Sequence, residues 1–466
     1  MGKAHYMVKD LTEVRSPQRK LMPDNAGSGQ HEQTSLWGIA VTARNKKQHR
    51  FRNLYRLLTP RFLHMAWNQL NLKTAIADDD ITVDMYRQNL YHNLADLGER
   101  LKTKRYKTKL IKRVYIPKEN GKQRPLGIPA LEDKIVQKAV ALVLESIFEQ
   151  DFLDCSYGYR PSRGAVDAAA DLSYQLQFGI YTYIVEADIK GFFDHIDHDK
   201  LLMFLSKRID DKAFLHLIRK WLKAGIMEPG NFIIHPDTGT PQGGIVSPVL
   251  ANVYLHYVLD KWIKETVEPR MDGDVTLCRY ADDWVCAFQY RNDADRFYRT
   301  LPKRLKRFNL EVEPSKTQII KFNRFHPNRR KGHTFVFLGF EYSWIRDCNK
   351  LPRVHRRTAP KRLQAGLKRM KVWIKRFRHL PRRQFFDSLN RKLRGHYNYY
   401  YARGNSESVW AFYNVVIGMV FKWLNRRSHK ASYTWERFSQ LLNFIRVAKP
   451  KVFYRQRLRQ EQFSWC

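Results

Sequence analysis

Val275-Thr276-Leu277-Cys278-Arg279-Tyr280-Ala281-Asp282-Asp283-Trp284-Val285-Cys286-Ala287-Phe288 reads as two apolar strands meeting at a tight turn that carries adjacent carboxylates. Ionised carboxylates this close repel each other, and Arg279 is the one cation in the stretch. A divalent cation would resolve that repulsion; an ordinary Asp-Asp turn between two strands is the other reading. Upstream, Ile184-Val185-Glu186-Ala187-Asp188-Ile189-Lys190-Gly191-Phe192-Phe193-Asp194 is a second buried-strand pattern that ends on an acid. Two-metal phosphoryl transfer needs carboxylates from separate strands around ions roughly 4 Å apart. Asp188 with Asp282 and Asp283 is such a candidate set, holding two Mg²⁺.

Composition narrows the class. The chain has 466 residues, with 84 Lys and Arg against 45 acids, a formal charge of +39. Such an excess implies a polyanionic partner, of which long nucleic acid is the obvious one. The 43% hydrophobic content is enough for real cores, and the length predicts more than one domain. Five scattered cysteines show no Cys-x-x-Cys spacing, so a reducing compartment is expected and structural zinc is not. No apolar run reaches a membrane span. A cytoplasmic, bacterial setting is expected, with nucleoid association when nucleic acid is bound.

Three ordered motifs carry a resemblance: Tyr280-Ala281-Asp282-Asp283, the run from Ala187 to Asp194, and Gly239-Thr240-Pro241-Gln242-Gly243-Gly244-Ile245-Val246-Ser247-Pro248. Together they resemble the group II intron reverse transcriptase/maturase family, over roughly residues 67–442. The resemblance implies an α+β right-hand polymerase fold, with fingers and palm built on antiparallel sheet and an α-helical thumb/maturase domain after it. It also implies RNA-directed DNA synthesis with RNA template, DNA or RNA primer and dNTPs, and binding of group II intron RNA that assists splicing and retromobility.

In chain order, residues 1–36 read as a loosely ordered lead-in, and 37–345 as an N-terminal extension, fingers and palm. Apolar residues from Phe51 to Ala66 recur at helical spacing among Arg and Lys. The acidic stretch Asp78-Asp79-Asp80 replaces the glycine-containing loop usual in the family and reads as a solvated loop. Residues 109–129 read as two strands around Asn120-Gly121, with Lys118, Lys122 and Arg124 about the turn. By resemblance this fingers hairpin closes over the incoming nucleotide, with Arg124 on the triphosphate and Lys118 or Lys122 assisting; a solvated basic hairpin is the alternative for any one of them. Residues 131–152 and 165–177 read as helices. Between them, Tyr157-Gly158-Tyr159-Arg160-Pro161-Ser162-Arg163 matches a family loop near the template path, which makes Arg160 and Arg163 phosphate candidates.

The Ile189 carbonyl is a further metal ligand by resemblance. Phe193 aligns with the aromatic that packs under the incoming sugar and favours deoxynucleotides; a core phenylalanine is the alternative. Gln242, whose amide both donates and accepts, would lie against a base pair. Lys316 would lie near the triphosphate, and residues 335–340 match the primer-grip strand.

Residues 351–466 change character, with 28 Lys and Arg against four acids. Their helical periods and basic faces imply a thumb and an RNA-binding extension. Leu393-Arg394-Gly395-His396-Tyr397-Asn398-Tyr399-Tyr400 and Trp423-Leu424-Asn425-Arg426-Arg427-Ser428 resemble the maturase domain, so Arg394, His396, Tyr397, Arg426 and Arg427 are expected on RNA. No His/Cys-rich endonuclease domain of the kind some members of that family carry is expected after this region. Two other functions fit the same motifs: a non-enzymatic chaperone of intron RNA, or an intron-derived enzyme recruited to phage defence or CRISPR spacer acquisition.

Overall fold

The computed structural model describes residues 30–71, 82–117, 121, 123–230, 232–241, 243–325, 333–402, 404–427 and 432–450. The expected acidic loop at 78–80, Lys118, Lys122 and Gln242 lie outside them, as do residues 1–29 of the lead-in. The helix α1 (Gln30–Asn45) begins inside the stretch read as lead-in.

Four helices, α1, α2 (Pro60–Asn68), α3 (Val83–Gln88) and α4 (Leu90–Lys102), precede the first sheet. Local chemistry starts two of them: the hydroxyls of Thr59 and Thr82 accept from the N–H groups of Phe62 at 3.3 Å and Met85 at 3.2 Å. The fingers hairpin follows as β1 (Ile111–Pro117) and β2 (Gln123–Ile128), then the helices α5 (Leu131–Phe148) and α6 (Ala165–Phe178). Next come β3 (Tyr183–Ala187), α7 (His198–Ser206), α8 (Lys212–Leu222), β4 (Ile226–Met227), β5 (Ile233–Ile234) and α9 (Ser247–Leu255). The strands β6 (Val275–Tyr280) and β7 (Asp283–Phe288) flank the opening motif, followed by α10 (Arg291–Lys306) and β8 (Gln318–Lys321). Three short strands, β9 (Phe335–Phe337), β10 (Phe340–Arg346) and β11 (Pro352–Thr358), lead into α11 (Pro360–Phe377), α12 (Arg382–Tyr400), α13 (Ser406–Leu424) and α14 (Trp435–Phe444).

Among the described residues three sheets form, in the orders β2-β1-β4-β5, β6-β7-β3-β8 and β11-β10-β9. The central one is antiparallel throughout, and its strands alternate as a sheet covered on both faces must. Val185, Cys286 and Phe288 join the core that holds α5, α9 and α10, whereas Ile184, Val285 and Ala287 pack toward α6 and the third sheet. The long helix α5 is buried along both sides by α1, α2 and α9, which ties the N-terminal helices to the palm.

The expected strand over 335–340 is a hairpin instead. Leu338 and Gly339 both take positive φ (50° and 79°), which turns the chain between β9 and β10. The basic composition that starts at 351 falls inside this sheet, because β11 carries Arg353, Arg356 and Arg357 while pairing with β10 along its whole length. The helices that follow have a core of their own, with Ile374, Phe385, Leu389, Leu393, Val416 and Val420 at its centre.

Candidate active site

The central sheet delivers the acids to one edge. Strand β3 pairs with β7 from Tyr183↔Phe288 to Ala187↔Trp284, and Asp188 and Asp283 are the residues that adjoin the last pair of that ladder on the two strands. The β6–β7 hairpin closes with Tyr280 opposite Asp283, which leaves Ala281 and Asp282 as its two-residue tip. Burial raises the Asp283 carboxyl to about 6, and the charges of Asp282 and Asp188 add to the rise. Asp282 is raised for the same reasons, burial first and then Asp188, although its neighbour Arg124 pulls the other way. Two sequence segments 94 residues apart therefore meet as one crowded group of negative charge.

Lys316 answers part of it. Its ammonium donates to the Asp188 carboxylate, and that bond raises the Lys316 pKa. The segment carrying Lys316 is pinned beside Asp188 by the backbone: Glu313 N–H donates to the Asp188 carbonyl at 2.8 Å, and Lys190 N–H to the Glu311 carbonyl at 2.9 Å. These bonds flank the Ile189↔Val312 bridge and leave the Ile189 carbonyl outside the ladder, consistent with a backbone ligand there.

The turn itself is held from below by a residue that the sequence showed only as a nearby charge. Arg279 is fully buried and forks onto the equally buried Asp260 at 2.7 and 2.6 Å. Its remaining N–H groups donate to Asn252 Oδ1 at 3.1 Å, Ser156 Oγ at 2.7 Å and the Ala281 carbonyl at 2.9 Å. Ala281 has φ of 58°, a left-handed backbone that a non-glycine residue adopts at a cost. Gly158 presses on it: a Cβ at Gly158 would stand 2.3 Å from the Ala281 nitrogen. Asn252 joins the two by donating to the Gly158 carbonyl at 2.7 Å. The sequence signal for this bracket was the Gly-Tyr-Arg-Pro loop, read there as a template contact.

The other motifs converge on the same edge. Arg124 in β2 is close enough to act on both Asp282 and Tyr159, and Tyr159 is itself exposed beside them. The glycine-rich loop at 239–244 lies between β2 and the chain after Asp188. Thr240 N–H donates to the Phe193 carbonyl at 2.7 Å, and Gly243, at φ of 115°, comes so near Gly127 that a Cβ would be 2.4 Å from its carbonyl oxygen. Phe193 is buried together with Phe192, its ring part of the core rather than standing free above the site.

The predicted RNA contacts divide. Arg160 is not a phosphate contact in this structure: its guanidinium is buried, bonded to Glu149 at 3.0 and 2.9 Å and to the carbonyls of Leu153 and Ser156, and it braces the loop after α5. Arg163 is turned back onto Asp154. Tyr397 is also internal, its hydroxyl donating to the Ala448 carbonyl at 3.0 Å, and His396 stacks on Phe412, where burial lowers its pKa to about 4. Helix α12 turns Tyr397 inward, where it completes the core of the helical region, while His396 lies half-buried beside it. Arg394 and Arg426 are exposed, and Arg427 donates to the Leu380 carbonyl at 3.2 Å. Arg426, Lys375 and Arg378 all stand within 6 Å of the Trp423 ring.

The site fits hard divalent cations. Its donors are carboxylate and carbonyl oxygens, and the upward shifts at Asp282 and Asp283 mark charge that lacks sufficient counter-charge. Among the described residues no three acidic, histidine or cysteine side chains are yet gathered closely enough to enclose an ion.

Comparison with known proteins bears on the same residues. The family model described as reverse transcriptase (RNA-dependent DNA polymerase) matches residues 116–342. The group II intron-encoded protein LtrA of Lactococcus lactis subsp. cremoris is 41% identical over 216 residues, 46% of this chain and 35% of that protein. Protein YkfC of Escherichia coli K12 is 35% identical over 279 residues, 53% of this chain and 73% of that protein. A 91 kDa protein in a cob intron of Schizosaccharomyces pombe is 31% identical over 299 residues, 63% of this chain and 35% of that one. The match therefore spans about a third of the length of LtrA. A telomerase structure from Candida albicans aligns over 79% of this chain and 71% of its own at 12% identity and a TM-score of 0.43, too distant a likeness to bear on the fold. With the acids, the glycine-rich loop and the fingers hairpin on one edge and these relatives alongside, the chain belongs to the group II intron reverse transcriptase/maturase family.

Proposed function

We propose that the protein is an RNA-directed DNA polymerase that copies RNA into cDNA from a DNA or RNA primer, and that it also binds a group II intron RNA to assist splicing and retromobility. The observation that supports the first part is the β3–β7 ladder, which ends at Ala187↔Trp284 with Asp188 and Asp283 next in line beside the Asp282 tip. Asp188, Asp282, Asp283 and the Ile189 carbonyl would hold two Mg²⁺. When bound, these ions supply charge to stabilise the transferring phosphoryl group and to acidify the primer hydroxyl.

The chain's own groups do the rest. Arg124, on the fingers side of Asp282, takes triphosphate oxygens through its planar fork, and Lys118 or Lys122 adds positive charge at the same hairpin. The β2 strand against the glycine-rich loop, with Gln242 in it, forms the wall along which the nascent base pair lies. Phe193 backs this wall from the core and limits the room under the incoming sugar, which favours deoxynucleotides. Lys316, released from Asp188 once counter-charge arrives, stands ready to give a proton to departing pyrophosphate. Arg394, Arg426 and Arg427, on the helical region, contribute to the hold on RNA, together with the cations around Trp423.

The direct test is primer extension on an RNA template with Mg²⁺ and dNTPs, comparing the parent with Asp282→Ala. The parent extends the primer and the variant does not, while both bind RNA alike. A parent that incorporates nothing but still accelerates intron splicing would replace this reading by that of a non-enzymatic chaperone.

A further inference from the structure

A concentration of positive charge sits where strand β1 begins, at the end of the fingers sheet away from Arg124. Between the start of β1 and the C-terminal end of α8 lies a cavity of about 560 Å³, in the range of ligand-sized pockets. Lys109, Arg219, Lys220, Lys223, His216 and His235 line it, and the other four lining residues carry no charge. Its frame is firm: Ile111 N–H donates to the Gly225 carbonyl at 2.9 Å, β1 pairs with β4, and α8 is anchored by Phe214, Leu217, Ile218 and Trp221.

Arg219 pairs with Asp199, whose side chain is 82% exposed, so the pair is worth little. Lys220 donates to the Tyr106 carbonyl at 3.2 Å, a contact that keeps its full charge. Cations gathered around one open pocket favour an anion among them. The charge continues outside: Lys104, Arg105 and Lys107 are exposed on the segment that enters the cavity at Thr108 and Lys109. A single phosphate would be served by the cavity alone, whereas a track of cations leading into it matches a polymer.

We propose that this cavity binds the phosphodiester backbone of an RNA strand, at a site separate from nucleotide addition; the inference rests on the reading that the protein binds RNA. Strand β1 runs from Ile111 at the cavity to Pro117 near the fingers turn, roughly 20 Å at about 3.3 Å per residue. RNA seated here is therefore clear of the primer terminus and adds to retention without entering the chemistry.

The test uses the full chain and the triple variant Lys109→Gln/Arg219→Gln/Lys223→Gln, which spares Lys220 and its backbone bond. Binding of a fluorescein-labelled single-stranded RNA of mixed sequence is followed by anisotropy across a KCl series. Three lost phosphate contacts reduce the slope of log affinity against log salt by about 2, at roughly 0.7 per contact on single strands. Affinity falls at least tenfold, while extension of a short saturating primer–template is unchanged. The charge-preserving variant Lys109→Arg/Arg219→Lys/Lys223→Arg restores most of the slope, which a folding defect would not allow. An unchanged slope in the Gln variant overturns the proposal. So does tight binding of sodium tripolyphosphate that the Gln variant loses without any change in RNA affinity, since the cavity would then serve a small anion. Failure of the parent to extend a primer would strike the polymerase reading instead, and leaves the salt slope as an independent result.

Discussion

Replacing Arg279 by Leu removes the cation bonded to the buried Asp260 carboxylate, and the size of the effect follows from the geometry. Both partners are fully buried and share two bonds of 2.6–2.7 Å. Breaking such a pair from one side costs about 3–5 kcal/mol, because the remaining charge has neither water nor partner. Ser156, Asn252 and the Ala281 carbonyl each lose a bond as well, adding about 1–3 kcal/mol apiece. Against a typical domain stability of about 5–15 kcal/mol, the single variant should lose a large part of it. Urea unfolding of the parent, Arg279→Leu, Asp260→Leu and the double variant measures this. The double variant should lose less than the two singles added together, by about 2 kcal/mol or more, since no charge is then stranded. Where it remains folded, it should still extend a primer at least a hundredfold more slowly than the parent, because nothing holds the Ala281 carbonyl and the tip is free to shift. Equal RNA affinity would show that the loss is confined to the turn. An Arg279→Leu protein within about 1 kcal/mol of the parent, or strictly additive singles, would refute the reasoning.

Other perturbations test other parts of the account. Gly158→Ala puts a methyl against the Ala281 nitrogen, so primer extension should fall by at least tenfold with RNA affinity held within twofold; normal extension would mean that the turn does not depend on this approach. Asp133 is buried among Tyr106 and the Lys109 N–H, and burial raises its pKa to about 6. Its folded pKa lies above the unfolded one, so the folded state holds the extra proton between about pH 4 and 6 and stability falls as pH rises through that window. The Asp133→Asn variant should lack that fall, roughly 2–3 kcal/mol at about 1.4 kcal/mol per pH unit, when urea midpoints are compared at acid and neutral pH. Lys316→Met removes the cation bonded to Asp188, and should tighten Mn²⁺ binding to the free protein severalfold while slowing extension; weaker Mn²⁺ binding would contradict the competition. Arg426→Gln with Arg378→Gln strips two of three cations from Trp423 and should lower the affinity for intron RNA by severalfold without affecting extension on a short template.

Much of the site was legible because its chemistry is local. Strand patterns ending on acids, Asn-Gly between two strands and a Gly-Gly loop are short-range signals, and they locate Asp188, Asp282, Asp283, the fingers hairpin and the loop at 239–244. What was not legible depends on partners far along the chain. Arg279 looks like a counter-ion for the adjacent acids, yet Asp260, Asn252 and Ser156 draw it to the opposite side of the turn. Arg160 looks like an exposed basic residue until Glu149, one helix earlier, folds back on it. The same holds for Tyr397, whose ring fills the helical core, and for His396, which stacks half-buried on Phe412. The hairpin at Leu338-Gly339 was hidden because a continuous apolar run reads as one strand, and only the positive φ of two residues breaks it.

The central claim is that Asp188, Asp282 and Asp283 jointly hold two divalent ions during nucleotide addition. Mn²⁺ binding, followed by electron paramagnetic resonance on the protein bound to an RNA template, a chain-terminated DNA primer and the complementary dNTP, tests it most directly. The account predicts two Mn²⁺ per chain in the parent and loss of at least one in each of Asp188→Asn, Asp282→Asn and Asp283→Asn, with RNA affinity preserved. Two ions bound with undiminished affinity in all three variants would contradict it.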